Sequence, residues 1–181
     1  DSPDMRVFVL SSGRCGSTTF ERACAHITNY TAGHETRRGY LFERRFDYPD
    51  QHIESDNRLS WFLGGLARRF DDEDTFYVHL TRRRAAVARS YSRRFHSPFH
   101  SSMMRAFAQG ILIRKSWAPE QHHKVARFYV DTVTDNIREF LRQVMIINDR
   151  RELSWHVARW DYWIWFANPD IEKITLEDNV F

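Results

Sequence analysis

The sequence predicts an α/β domain built on a central parallel sheet with right-handed crossovers, and two observations predict it. First, Met5–Leu10 (MRVFVL) and Thr75–Leu80 (TFYVHL) are short runs dominated by β-branched and aromatic residues, the pattern of strands buried on both faces. Second, each run leads into a loop and then a helix-like stretch, so strand, loop and helix recur in the order that parallel pairing requires.

Taken in order, Met5–Leu10 is the first strand, ending in Ser-Ser-Gly. Ser17–His26 is a helix, with Phe20, Ala23 and Cys24 spaced for one face. Thr28–Thr31 is a second short strand, stopped by Gly33. Arg37–Phe46 is helical and ends before Tyr48-Pro49, because the residue before a proline disfavours helix. Gln51–Ser55 is extended. Asn57–Phe70 is a helix weakened by Gly64-Gly65, and Asp71–Asp74 is an acidic turn. After the strand Thr75–Leu80 come helices over Ala85–Phe95, Met103–Lys115 and Glu120–Arg142, then a short strand, Val144–Ile147. Trp155–Phe166 is a very aromatic helix, broken near Asn168-Pro169. No internal repeat or long linker interrupts the chain, so residues 1–181 are expected to form a single domain.

Composition narrows the function classes. Hydrophobic residues make up 42% and charged residues 28%, a balance that builds a packed core rather than a disordered chain. No apolar run reaches the ~20 residues of a membrane helix, so no membrane span is expected. The net charge of +3 and the pI of about 9.0, with 24 acidic residues present, do not amount to a nucleic-acid footprint. Arginine is clustered, and its planar fork suits phosphate and sulfate oxygens. Two cysteines, Cys15 and Cys24, are too few for a disulfide scaffold and suggest a reducing, cytoplasmic setting. No HExxH or paired-cysteine pattern appears, so no metal is expected. The Cys15–Arg22 spacing is one residue too long for a thiolate phosphatase.

Ser11–Thr19 (SSGRCGSTT) is the sharpest feature. It lies between a predicted strand and a predicted helix, where a glycine-bearing turn can aim successive amides at an anion and the helix adds its positive end. Ser17, Thr18 and Thr19 supply hydroxyls, and Arg14 a cation. Aligned on Gly16, the nucleotide-kinase pattern would put lysine at position 17, where serine stands, and no aspartate closes the strand Thr75–Leu80. A P-loop kinase is therefore the weaker alternative.

The stretch Gly13–Thr19 resembles the 5′-phosphosulfate loop of sulfotransferases, a basic residue followed by Ser-Gly and two hydroxyl residues after the first strand. By that resemblance Arg14 is the loop's basic residue, Gly16, Ser17 and Thr18 match its glycine and hydroxyl pair, and Cys15 departs from the usual serine. Thr75–Arg94 is similar to the family's second element: a strand, then an arginine, then a serine eight positions on, which together hold the 3′-phosphate of the donor. Arg82 and Ser90 have that spacing. The resemblance spans residues 5–95; the C-terminal Arg-Lys-Gly nucleotide loop of the family's cytosolic eukaryotic members is absent, since Arg114-Lys115 is followed by serine and tryptophan.

The resemblance implies a three-layer sandwich of the P-loop NTPase-like sulfotransferase type. It also implies transfer of a sulfuryl group from 3′-phosphoadenosine 5′-phosphosulfate (PAPS) to a hydroxyl on a carbohydrate or lipid-linked glycan. Some bacterial carbohydrate sulfotransferases place a catalytic glutamate after the second strand, a position like that of Glu35 in Gly33-His34-Glu35. His34 and Asp56 are the other candidate bases, and Asp56 could equally cap the helix that follows. A module that binds the nucleotide without turning it over is the non-enzymatic alternative.

Overall fold

The computed structural model describes residues 5–70, 72, 74–95, 101–147 and 158–159. Its sheet has four parallel strands in the order β2 (Thr31–His34), β3 (His52–Ser55), β1 (Arg6–Leu10) and β4 (Thr75–Thr81). A two-residue strand, β5 (Ala158–Arg159), adds to the free edge of β4. From β1 the chain travels outward to β2, and from β3 it crosses back past β1 to β4. The loop after β1 thus lies where the path reverses, at the carboxyl ends of the strands, the place where open parallel sheets hold ligands.

The central strand β1 is buried as its apolar run requires, with Val7, Phe8, Val9 and Leu10 each at most 1% exposed, while Phe76, Tyr77 and Val78 of β4 are half-buried. In register, Phe8 stands between Glu54 of β3 and Tyr77 of β4. Its ring meets Tyr48 edge-on at 5.3 Å, Phe70 at 4.7 Å and Tyr77 at 5.8 Å, offset geometries that favour aromatic packing.

Helix α1 (Ser17–Cys24) buries Phe20, Ala23 and Cys24 and packs on β2 and β3. Helices α2 (Leu63–Arg69) and α3 (Arg84–Ser92) follow β3 and β4. The short α4 (Ser102–Arg105) continues into a wide π turn, Ala106–Ile111. The long α5 (Pro119–Ile147) carries a buried stripe of Val125, Tyr129, Val133, Ile137, Phe140 and Val144, spaced at three to four residues. This stripe takes up α3, while Arg84 spans to Asp131 (3.0 Å) and Asp135 (2.8 Å) at the helix edges.

Several sequence expectations are corrected. Arg37–Phe46 is not an α-helix; it is a turn followed by a 3₁₀ segment, Phe42–Phe46. No periodic apolar face exists there to bury, and the segment is pinned from outside itself: Thr36 by Glu54, and Arg45 by Asp56. Gly33 does not stop the second strand but lies inside β2, where a Cβ would come within 2.5 Å of Thr36 and 2.9 Å of Glu54. Asn57–Phe70 splits into a 3₁₀ segment, Asn57–Trp61, and α2, with Phe62 non-helical between them. Met103–Lys115 winds only as far as Ile111. Val144–Ile147 is the last turn of α5 rather than a strand, and Val144 continues the buried stripe. Of the aromatic helix expected over Trp155–Phe166, only Ala158–Arg159 are described, and they are strand; the rest lies outside the described residues.

Candidate functional site

The loop leaving β1 is built from three left-handed residues, Gly13 (φ 81°), Arg14 (φ 58°) and Gly16 (φ 91°). Two of the three are glycine, the residue that takes this conformation without a Cβ penalty. Gly16 is the N-cap of α1, and its carbonyl accepts the Phe20 amide at 2.9 Å. No side chain caps the helix, so the first-turn amides of Ser17, Thr18 and Thr19 have no intrahelical acceptor. They form the positive end of a helix dipole at the strand–helix junction.

The loop is held from below by residues far away in sequence. Ser60 donates to the Ser11 carbonyl at 3.0 Å. The Ser12 carbonyl accepts two phenols at once, Tyr91 of α3 at 2.8 Å and Tyr129 of α5 at 3.0 Å. Burial pushes both phenols up, Tyr129 to about 12, so both keep the proton they donate. Not every amide faces outward: that of Gly13 is spent on the Ser11 hydroxyl at 3.1 Å.

Three of the expected ligand residues meet on this loop. The Arg14 guanidinium donates through Nε to the Ser90 hydroxyl at 3.2 Å, and Arg82 donates to the Arg14 carbonyl at 3.4 Å. Arg14 and Arg82 are exposed, and Thr18 and Thr19 are exposed on the first turn of α1. Cys15 points the other way. The residue is 2% exposed, and its thiol donates to the Gly13 carbonyl at 3.3 Å. Burial pushes that thiol up, against smaller opposing effects of the Ser12 hydroxyl and the Arg82 charge. Cys15 thus offers a ligand only its backbone amide, and its thiol is not poised as a nucleophile.

The candidate bases sit at the neighbouring strand end. His34 closes β2, and its Nε2 lies 3.0 Å from the Ser17 hydroxyl, which ties the β2 edge to the first turn of α1. Glu35 follows in a left-handed turn (φ 55°), its carboxylate held by Arg58 and, at 3.5 Å, by Arg38. Asp56 is fully buried, caps the 3₁₀ segment through the Arg58 amide (2.7 Å) and pairs with buried Arg45 at 2.6 Å. Its capping reading is the one the geometry favours.

Sequence reading missed the residue beneath this turn, Glu54. It is fully buried and accepts the Thr36 amide (2.8 Å), the Thr36 hydroxyl (2.6 Å) and His52 Nε2 (3.0 Å). Burial alone would raise its carboxyl; the donors from His52 and Thr36 outweigh that and hold it below the ordinary range. Tyr91 and Tyr129 were also missed. Tyr91 is next to Ser90 and could have been suspected, but nothing near Tyr129 in sequence points to the loop.

On the β4 side, the loop borders a cavity of about 370 Å³ lined by Ser12, Cys15, His79, Thr81, Arg82 and Arg138, among others. His79 is 6% exposed; burial, then the charges of Arg138 and Arg84, lower its imidazole to about 4, so it is neutral at physiological pH. Among the described residues, no helix is long and apolar enough to cross a membrane. No protein-family model, curated protein or solved structure matches this chain.

Proposed function

We propose that this chain is a PAPS-dependent sulfotransferase of the P-loop-like, three-layer type. The observation that carries this reading is the meeting of Arg14, Arg82 and Ser90 at a loop whose first helix amides lack intrahelical acceptors and a side-chain cap. Two guanidiniums and a hydroxyl converging on such a loop suit a ligand with two separate anionic groups. The 5′-phosphosulfate would lie on the amides of Ser17, Thr18 and Thr19 beside Arg14. The 3′-phosphate would bridge Arg82 and Ser90 after displacing the contact between Arg14 and Ser90.

In the reaction, the acceptor oxygen forms a bond to sulfur while the bond from sulfur to the bridging phosphate oxygen breaks. The electron pair goes to the 5′-phosphate, whose growing charge meets Arg14 and the helix amides. The acceptor proton goes to a base on the β2 edge. Glu35 is the base in this reading, with Arg58 and Arg38 fixing its carboxylate. His34, which reaches Ser17, is the alternative. The acceptor is a hydroxyl, on a carbohydrate or a lipid-linked glycan.

The test is calorimetric titration with adenosine 3′,5′-bisphosphate beside ATP and Mg²⁺. Binding of the bisphosphate without ATP, followed by turnover of PAPS, supports the reading. Binding of ATP–Mg²⁺ alone would replace it with a kinase, and binding of the bisphosphate with no turnover would leave a nucleotide-binding module.

A further inference from the structure

We propose that the apolar rim beside this site docks on an anionic lipid surface. The exposed large hydrophobic side chains among the described residues are not scattered. Tyr40, Leu41 and Phe42 follow the carboxyl end of β2, and Trp61 and Phe62 follow that of β3. The two groups are joined by Phe46, whose ring meets Phe62 at 6.2 Å. Trp61 continues the line to Phe107 at 6.4 Å, and Phe107 to Phe128 at 5.8 Å. Beyond Phe107 the π turn ends in exposed Ile111, and exposed Ile113 follows two residues on. Trp61 also stacks on Tyr129 at 6.3 Å, whose hydroxyl holds the phosphate loop. The rim therefore packs on a residue that supports the loop from below.

Its tips are costly in water in two ways. Phe42 is 83% exposed and Ile113 is 85% exposed, and both take left-handed backbone (φ 54° and 52°), which bulky and β-branched residues rarely adopt. Leu41, beside Phe42, is 72% exposed. A bilayer interface would repay the exposure by taking up these side chains.

Charge selects the occupant. Arg37 and Arg44 lie over the Tyr40 ring at 5.3 Å and 4.8 Å, and Arg114 lies over Trp117 at 4.6 Å, near the second tip. Lys115 is next to Arg114 and Glu43 is the acid between Phe42 and Arg44. Cationic side chains flanking exposed apolar tips match the headgroups of anionic lipid. A second copy of the same surface would set these like charges against each other. On the reading above, the acceptor would then be a hydroxyl carried by a lipid headgroup. Docking is measured with no donor present, so its failure and that of the donor site are read separately.

The test is co-sedimentation of the full chain with vesicles of phosphatidylcholine, with and without phosphatidylserine. Binding should require phosphatidylserine and weaken as salt is raised. The double variant Leu41→Ser/Phe42→Ser should partition at least about tenfold less, with its thermal midpoint unchanged because both side chains are exposed. Arg37→Gln/Arg44→Gln should remove most of the preference for phosphatidylserine. Absence of vesicle binding, equal binding to both vesicle types, or undiminished binding of the Leu41/Phe42 variant would overturn the proposal. So would self-association of the chain that the Leu41/Phe42 variant abolishes without any vesicle binding, since a second copy would then be the occupant.

Discussion

Replacing Gly13 with alanine perturbs the loop after β1 at its tightest point. A methyl there would stand 2.2 Å from the Tyr91 hydroxyl and 3.0 Å from the Asn57 amide nitrogen. Tyr91 cannot swing aside into water: it is 1% exposed, and its ring packs edge-on against Tyr129 at 5.1 Å. Two costs combine. Forcing a residue with a Cβ into the left-handed region costs roughly 1–2 kcal/mol. Pushing Tyr91 off the Ser12 carbonyl forfeits a buried hydrogen bond worth roughly 1–3 kcal/mol. Gly13→Ala should therefore lose roughly 2–5 kcal/mol, a large share of a typical domain's stability. Tyr91→Phe alone should lose only about 1–2 kcal/mol, because Ser12 keeps the Tyr129 donor. Combining the two removes the atom that the methyl strikes, so the double variant should be more stable than the sum of the singles predicts by about 1 kcal/mol or more. Urea unfolding followed by tryptophan fluorescence measures all three. Strict additivity within about 0.5 kcal/mol would refute the packing of Gly13 on Tyr91.

Further expectations follow from the same site. Arg82→Ala should weaken binding of adenosine 3′,5′-bisphosphate far more than binding of its 3′-dephospho analogue in calorimetry; equal losses would remove Arg82 from the 3′-phosphate. Glu35→Gln should lower turnover by about 100-fold or more with nucleotide affinity nearly intact. Near-normal turnover would pass the base role to His34, to be checked with His34→Gln. Folding favours neutral His79, so folding releases a proton between the imidazole's ordinary 6.5 and its folded value of about 4. The stability this leaves intact above 6.5 should be lost as pH falls toward 4, by up to about 3 kcal/mol. His79→Asn should flatten that acid limb in urea titrations at several pH values, and an unchanged limb would discount His79 as its source.

What could be read in the sequence follows from range. Met5–Leu10 and Thr75–Leu80 become β1 and β4 because continuous apolar runs leave a chain few alternatives to the sheet interior. The strand–Gly–helix grammar of Ser11–Thr19 is local, so the loop and α1 stand where expected. Arg82 and Ser90 arrive at the loop because helical spacing carries a side chain two turns along one face. The failures are long-range. Arg37–Phe46 had helix-forming letters, but Glu54 and Asp56 pin its two ends from β3 and the residue after it. Val144–Ile147 reads as a strand alone and as the last turn of a helix once α5 is seen whole. Glu54 looked like one more charge in an extended segment; its burial depends on Thr36 and His52 donating to it from either side.

The two tyrosines on the Ser12 carbonyl set an order on how the protein is made. Tyr91 and Tyr129 lie 79 and 117 residues downstream of Ser12. At roughly 5–20 residues per second, Tyr129 emerges from the ribosome roughly 6–23 s after Ser12. For the first 79 of those 117 residues β1 and the loop exist without either phenol, and until Tyr129 emerges the Ser12 carbonyl lacks one of its two donors. The loop, encoded early, gains its last described support only when α5 packs on α3, and on the proposed reading a nascent chain arrested before α5 should carry the whole loop sequence yet bind no adenosine 3′,5′-bisphosphate.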